Sequence, residues 1–129
     1  MTAILAVLLL AMSPDVSTLL GEWTGESKCV GNSPACHDEQ NVYVITPPRT
    51  GGAVFVTGYK IVNGQRIEMG SSDYQWDDKA RRLFWDFTSG TIHRRWEFTV
   101  TGTKMDGTLT LLPDMTVVRR ASLTKTTKR

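Results

Sequence analysis

Helical periodicity is missing from this chain of 129 residues. After Pro14 no stretch carries an apolar side chain every three to four residues over three turns, which excludes a helical bundle. Charge of one sign is scarce as well. Fifteen Lys and Arg stand against 13 Asp and Glu, a formal net charge of +2. A nucleic-acid binder draws most of its affinity from a concentrated basic surface, so no nucleic-acid partner is expected. The sequence holds two His and two Cys, with no second cluster to complete a four-ligand zinc site. It has no glycine-rich phosphate loop, dinucleotide fingerprint or glycosylation sequon, and neither a metal nor a cofactor is expected. The length admits one domain and is short for two.

A membrane-length apolar run is absent too. The unbroken run Ala3–Met12 has ten residues, against about 20 for a spanning helix. Ten is the length of a secretory signal core, and Ala11-Met12-Ser13 offers small residues at the spacing that signal peptidase reads. The expected organisation is a signal peptide over 1–13 and one domain over 14–129, in a secreted or periplasmic protein with no stable membrane insertion. No Lys or Arg precedes the run, and Pro14 follows the cut. A short anchor or a mis-set start is therefore the competing reading.

Cys29 and Cys36 flank Val30-Gly31-Asn32-Ser33-Pro34-Ala35, a segment rich in turn formers. A disulfide closing it suits an oxidising compartment and would stabilise the fold by about 2 to 3 kcal/mol on the chain-entropy model. The rival reading, a metal held by Cys29, Cys36, His37 and a carboxylate, needs ligands closer together than these.

Short alternating runs separated by turn formers predict eight strands. These are Leu19–Val30, Gln40–Thr46, Ala53–Val62, Arg66–Gln75, Arg82–Thr88, Thr91–Val100, Lys104–Leu111 and Met115–Thr124. Asn63-Gly64, Ser89-Gly90 and Thr101-Gly102 are hairpin turns of decreasing strength of signal. The two-residue period assigns faces. Trp23, Gly25, Ser27 and Cys29 share one side of the first strand. Leu83, Trp85 and Phe87 point inward on the fifth, leaving Phe84 outside. On the sixth the inward set is Ile92, Arg94, Trp96, Phe98 and Val100; on the seventh, Met105, Gly107, Leu109 and Leu111; on the eighth, Met115, Val117, Arg119, Ala121 and Leu123. An eight-stranded antiparallel meander with one apolar face removes its edges by closing into an up-and-down β-barrel, and that all-β architecture is preferred here over a sandwich.

Gly21-Glu22-Trp23 at the start of the first strand resembles the Gly-x-Trp motif of the lipocalins and the wider calycin superfamily. Arg119 or Arg120 stands on the last strand where those barrels carry an arginine over the tryptophan. The resemblance covers about Leu19–Leu123 and is nearest to the small bacterial lipocalin-like proteins. It implies an eight-stranded barrel closed at its base by Gly21, Trp23 and Arg119, with a lumen able to hold a small hydrophobic or amphiphilic ligand.

An inward Arg94 needs a carboxylate, from the protein or from a ligand. Internal arginines of fatty-acid-binding barrels hold a ligand carboxylate, so the resemblance makes Arg94 the expected polar anchor. A one-residue slip would bring His93 inward instead. Aromatic residues fill the middle strands, and Arg94, Trp96, Phe98, Trp85, Tyr59 and Phe55 form the expected ligand-binding set. Most rings must be core, because so small a barrel needs bulk to fill it.

His37 and Glu39 form a polar pair on one face near one mouth, and a histidine beside a carboxylate can serve as a general base. No Ser or Cys nucleophile accompanies them. Three functions are thus in play: lumen binding, a protein-binding module such as an inhibitor using the Cys29–Cys36 loop, and an enzyme using His37 and Glu39. Oligomeric state is not legible.

Overall fold

A computed structural model describes residues 14–126. The expected signal segment lies outside the described residues. One helical turn, α1 (Pro14–Ser17), leads into eight strands: β1 (Gly21–Cys29), β2 (Glu39–Thr46), β3 (Val54–Val62), β4 (Gln65–Asp77), β5 (Arg82–Ser89), β6 (Ile92–Thr101), β7 (Lys104–Leu112) and β8 (Thr116–Lys125). Each strand pairs antiparallel with the next, and β1 pairs with β8 to close the barrel. The turn chemistry behaves as its residues dictate: Asn63 and Gly64 both take positive φ, 52° and 79°, as a type I′ hairpin requires.

Antiparallel order places alternate strand ends together. The base holds the start of β1, the β2–β3 connection and the end of β8. The opposite end holds the Cys29–Cys36 loop, the β3–β4 hairpin and the β5–β6 and β7–β8 turns. The base is filled: Leu19, Trp23, Ile45, Val54, Leu83, Phe98, Met105 and Leu123 are almost wholly buried. Burying side chains of this size contributes about 1.5 to 3 kcal/mol each. The segment after α1 acts as a plug, since Leu19 is in this core and its carbonyl accepts a 2.9 Å hydrogen bond from Trp23 Nε1. Gly107 faces inward where the Phe98 ring leaves no space for a Cβ.

The alternation holds along the middle of the strands and fails at their ends. Ile92 and Met115, both expected inward, are 43% and 54% exposed. Ile92 opens β6 at the unfilled end, and Met115 sits in the β7–β8 turn at φ 62°. On β7 an irregularity between Leu109 and Thr110 shifts the register, so that Thr110, and not Leu111, is buried.

The wall is uneven. β4 and β5 pair only over Gln75–Asp77 and Arg82–Phe84, although both strands continue toward the open end. β4 is 13 residues long. Its outer part forms with β3 a hairpin displaced by a bulge at Gly58/Tyr59. Arg66 in that hairpin makes a two-point ion pair with Glu22 of β1, at 3.0 and 3.2 Å.

Candidate functional site

Above the filled base the barrel holds a cavity of about 380 Å³. That is near the lower end of the range for small-molecule sites, about 300 to 1,000 Å³. The sequence expectation of a largely filled interior therefore applies to the base alone. Tyr43, Tyr74, Trp85, Phe87 and Trp96 supply the aromatic lining, with Val56, Leu109 and Met69. Tyr43 and Tyr74 are buried, which pushes both phenols well above their usual range, with the Glu39 charge adding to the effect on Tyr43. They stay neutral at any physiological pH.

Polar groups gather toward the open end. Arg119 Nη1 donates to Ser27 Oγ at 2.9 Å, and Nη2 donates to the His37 carbonyl at 2.8 Å and to Glu39 Oε2 at 3.5 Å. Asn41 Nδ2 donates to Glu39 Oε1 at 3.3 Å and to the Tyr59 carbonyl at 3.2 Å. Since both of its neighbours are acceptors, the amide nitrogen must face them. Arg119 is thereby a clamp that ties the disulfide loop and β2 to β8.

Arg94 differs from every other arginine near it. It lines the cavity, and its Nε is buried with no hydrogen bond. The carboxylates in reach of neighbouring strands are committed elsewhere: Asp86 to Arg95 at 3.1 Å, Glu97 to Arg82 at 2.8 Å and Glu39 to Arg119. Arg94 is the Cα partner of Phe87 and of Leu111, so its inward direction follows from the same row as Trp96 and Phe98. His93 is exposed, which resolves the register in favour of Arg94.

Of the six residues expected to meet a ligand, Arg94, Trp96 and Trp85 line the cavity. Phe98 lies just beneath it, 5.3 Å from Trp96 and only 1% exposed. Phe55 and Tyr59 require correction. The inward row of β3 is Val54, Val56 and Gly58, so the intervening Phe55 faces out, as does Tyr59 beyond the bulge. Arginines cover both rings from outside, Arg49 at 4.2 Å from the Phe55 centroid and Arg66 at 5.8 Å from Tyr59.

The closure role expected of Arg119 is also corrected. Trp23 is the register partner of Lys125, whereas Arg119 is opposite Cys29, six residues farther along β8. At about 3.3 Å per residue the two β8 positions are roughly 20 Å apart along the strand. Lys125 holds the position instead. Its Nζ lies 5.8 Å from the Trp23 ring and donates to the Thr18 carbonyl at 2.7 Å. Gly21, at φ 127°, is the residue against which the Lys125 stem rests.

Cys29 and Cys36 are joined as a disulfide. Asp38 Oδ1 accepts from Cys29 N at 2.9 Å, which fixes the returning chain. The loop brings Glu39 to the cavity, but His37 is exposed and contributes its carbonyl. Among the described residues no cluster of His, Cys, Asp and Glu could hold a metal ion.

Sequence reasoning missed Asn41, Ser72, Met69 and the glycines Gly58 and Gly70. Asn41 was reachable by alternation from Glu39 and Tyr43. The glycines carry no side-chain signal. Among the described residues six large apolar side chains are exposed: Val30, Val62, Ile67, Met69, Ile92 and Met115. Val30, Ile92 and Met115 stand at the open end, whereas Val62 and Ile67 belong to the β3–β4 hairpin that Arg66 ties to Glu22 of β1. Comparison of the chain with protein families and with curated proteins returns no match.

Proposed function

We propose that the protein is an exported, lipocalin-like barrel that binds a small amphiphilic molecule in the open half of its lumen. The apolar part of the ligand rests among Tyr74, Trp85 and Trp96, and its acidic group accepts hydrogen bonds from Arg94. The observation that carries this reading is the unpartnered guanidinium at a cavity wall. Arg94 is half-buried, and a buried donor such as its Nε left without an acceptor costs about 1 to 3 kcal/mol. An apolar side chain at this place in the wall would avoid that cost. A ligand carboxylate, sulfonate or phosphate supplies the missing partner. The disulfide supports export, because such bonds persist in oxidising compartments.

The test is native mass spectrometry of protein purified undenatured from its own host, followed by titration of the stripped protein with an acidic amphiphile panel. Retained mass and quenching of Trp85 and Trp96 fluorescence are expected. Arg94→Leu should weaken acidic ligands and leave thermal stability equal or higher, since a buried donor without an acceptor is removed. Wild-type protein that is empty and binds nothing in the panel would sink the proposal.

A second reading, a protein-binding module, is favoured by one observation. Val30 and the exposed disulfide loop share the open end with two other exposed apolar side chains, Ile92 and Met115. Replacing Val30-Gly31-Asn32-Ser33 with a polar linker would abolish capture of a partner under this reading and would leave lumen binding intact under the first.

A further inference from the structure

We infer that the cavity selects a flat aromatic anion, of the class of fused-ring aromatic carboxylates, over an acyl chain. This deepens the lumen-binding reading and rests on it. Two strands build one wall. On β5 the Trp85 and Phe87 rings are stacked, 4.1 Å between centroids and 13° between planes. On β6 the Trp96 and Phe98 rings are stacked at 5.3 Å and 10°. Trp85 is the Cα partner of Trp96, and Phe87 is the partner of Arg94. The inward face of this strand pair is therefore a double ladder of parallel rings. Phe98 closes its lower end in the core, while Trp85, Phe87 and Trp96 reach the cavity. At the level of Phe87 the β6 ladder has no ring; it has Arg94.

The opposing wall is of another kind. Gly58 and Gly70 are Cα partners there, with Ser72 and Asn41 beside them. Tyr43, Val56 and Met69 lie on the same side, so apolar groups there are interrupted by space and by polar edges. An acyl chain gains from being surrounded by apolar groups on all sides, and these polar edges interrupt that surround. A flat ring system uses its two kinds of surface separately. Its face continues the ladder, at the offset-stacked geometry that aromatic pairs prefer. Its edge can exchange hydrogen bonds with the serine and amide side, and its carboxylate meets the guanidinium in a charge-assisted, two-point contact. The missing rung beside Arg94 thus matches a planar acid in shape, stacking and charge.

Three probes of similar size separate the terms: 2-naphthoate, its neutral amide and decanoate, each titrated into wild-type protein by calorimetry and tryptophan fluorescence. Naphthoate is expected to bind about tenfold or more tighter than decanoate and than the amide. Arg94→Leu should erase the preference of acid over amide while retaining the amide. Gly58→Val should weaken naphthoate by at least about tenfold, because a side chain there grows toward Tyr43 and Met69. Gly58→Ala, whose Cβ would sit in ordinary contact at 3.7 Å from Met69 Cε, is the milder version should valine unfold the protein. Decanoate binding as tightly as naphthoate overturns the aromatic assignment and leaves lumen binding standing. Failure of all three probes against folded wild type overturns both.

Discussion

Trp23 is where the packing argument can be tested most sharply, because its indole is doing two separable things. It is fully buried, and its Nε1 supplies the hydrogen bond to the Leu19 carbonyl that holds the plug. Trp23→Ala removes ring and donor together, at about 3 to 5 kcal/mol for a large core aromatic. Trp23→Phe keeps most of the apolar volume but leaves a buried carbonyl unpaired, at about 1 to 3 kcal/mol. The alanine variant therefore stands to lose a large part of the roughly 5 to 15 kcal/mol that holds a domain together. In urea, with an m-value of about 2 kcal/mol per molar, the midpoint should fall by about 2 M for alanine and about 1 M for phenylalanine, with the slope unchanged. Lumen binding measured well below the transition should be unaffected in the phenylalanine variant, because Trp23 lies outside the cavity lining. A phenylalanine variant within about 0.5 kcal/mol of wild type would refute the assigned role of the hydrogen bond. An alanine variant equally silent would refute the filled base.

Asp73 accepts backbone hydrogen bonds from Gly52, Arg49 and Thr50, which lower its pKa from 3.8 to about 2. Because the folded value is the lower one, its contribution is complete above the unfolded pKa and is lost as pH falls from about 4 to 2. Asp73→Asn should flatten the stability profile of acid titration in that window, read by circular dichroism. Reduction of the Cys29–Cys36 bond should lower stability by about 2.5 kcal/mol on the chain-entropy model, checked by paired urea melts with and without reductant. Gly107→Val should prevent folding of the barrel, since the Phe98 ring occupies the space a Cβ needs; a cooperative melt near the wild-type temperature would contradict this.

Strand number, order and most faces were legible because a two-residue period and turn formers such as Asn63-Gly64 encode them directly. Arg94, Trp85 and Trp96 followed from the same rule. Composition misplaces Phe55 and Tyr59, because aromatic character does not distinguish lumen from exterior and the β3 period puts both outside. Arg119 was misassigned for a different reason. Register across the β1–β8 seam depends on how far the strands are staggered when the sheet closes, and stagger leaves no mark on either strand alone. The alternation could show that Arg119 points inward but not which height of the barrel it reaches. Cavity volume was hidden for a related reason: it depends on Gly58 and Gly70 meeting each other, and a glycine announces nothing about what stands opposite.

The short pairing of β4 with β5 bears on how such an interior can be filled and emptied. Seven of the eight strand interfaces would have to shed their hydrogen bonds for the barrel to widen, but the eighth is joined only over Gln75–Asp77 and Arg82–Phe84, next to the filled base. Met69, Gly70, Ser71 and Ser72 border the cavity on one side of that slit, and Trp85 and Phe87 border it on the other. The cylinder is in effect a rolled sheet fastened at one end of its seam. The seam is closed beside the core and unpaired beside the rings, so parting its free edges would break no strand hydrogen bond of the β4–β5 ladder.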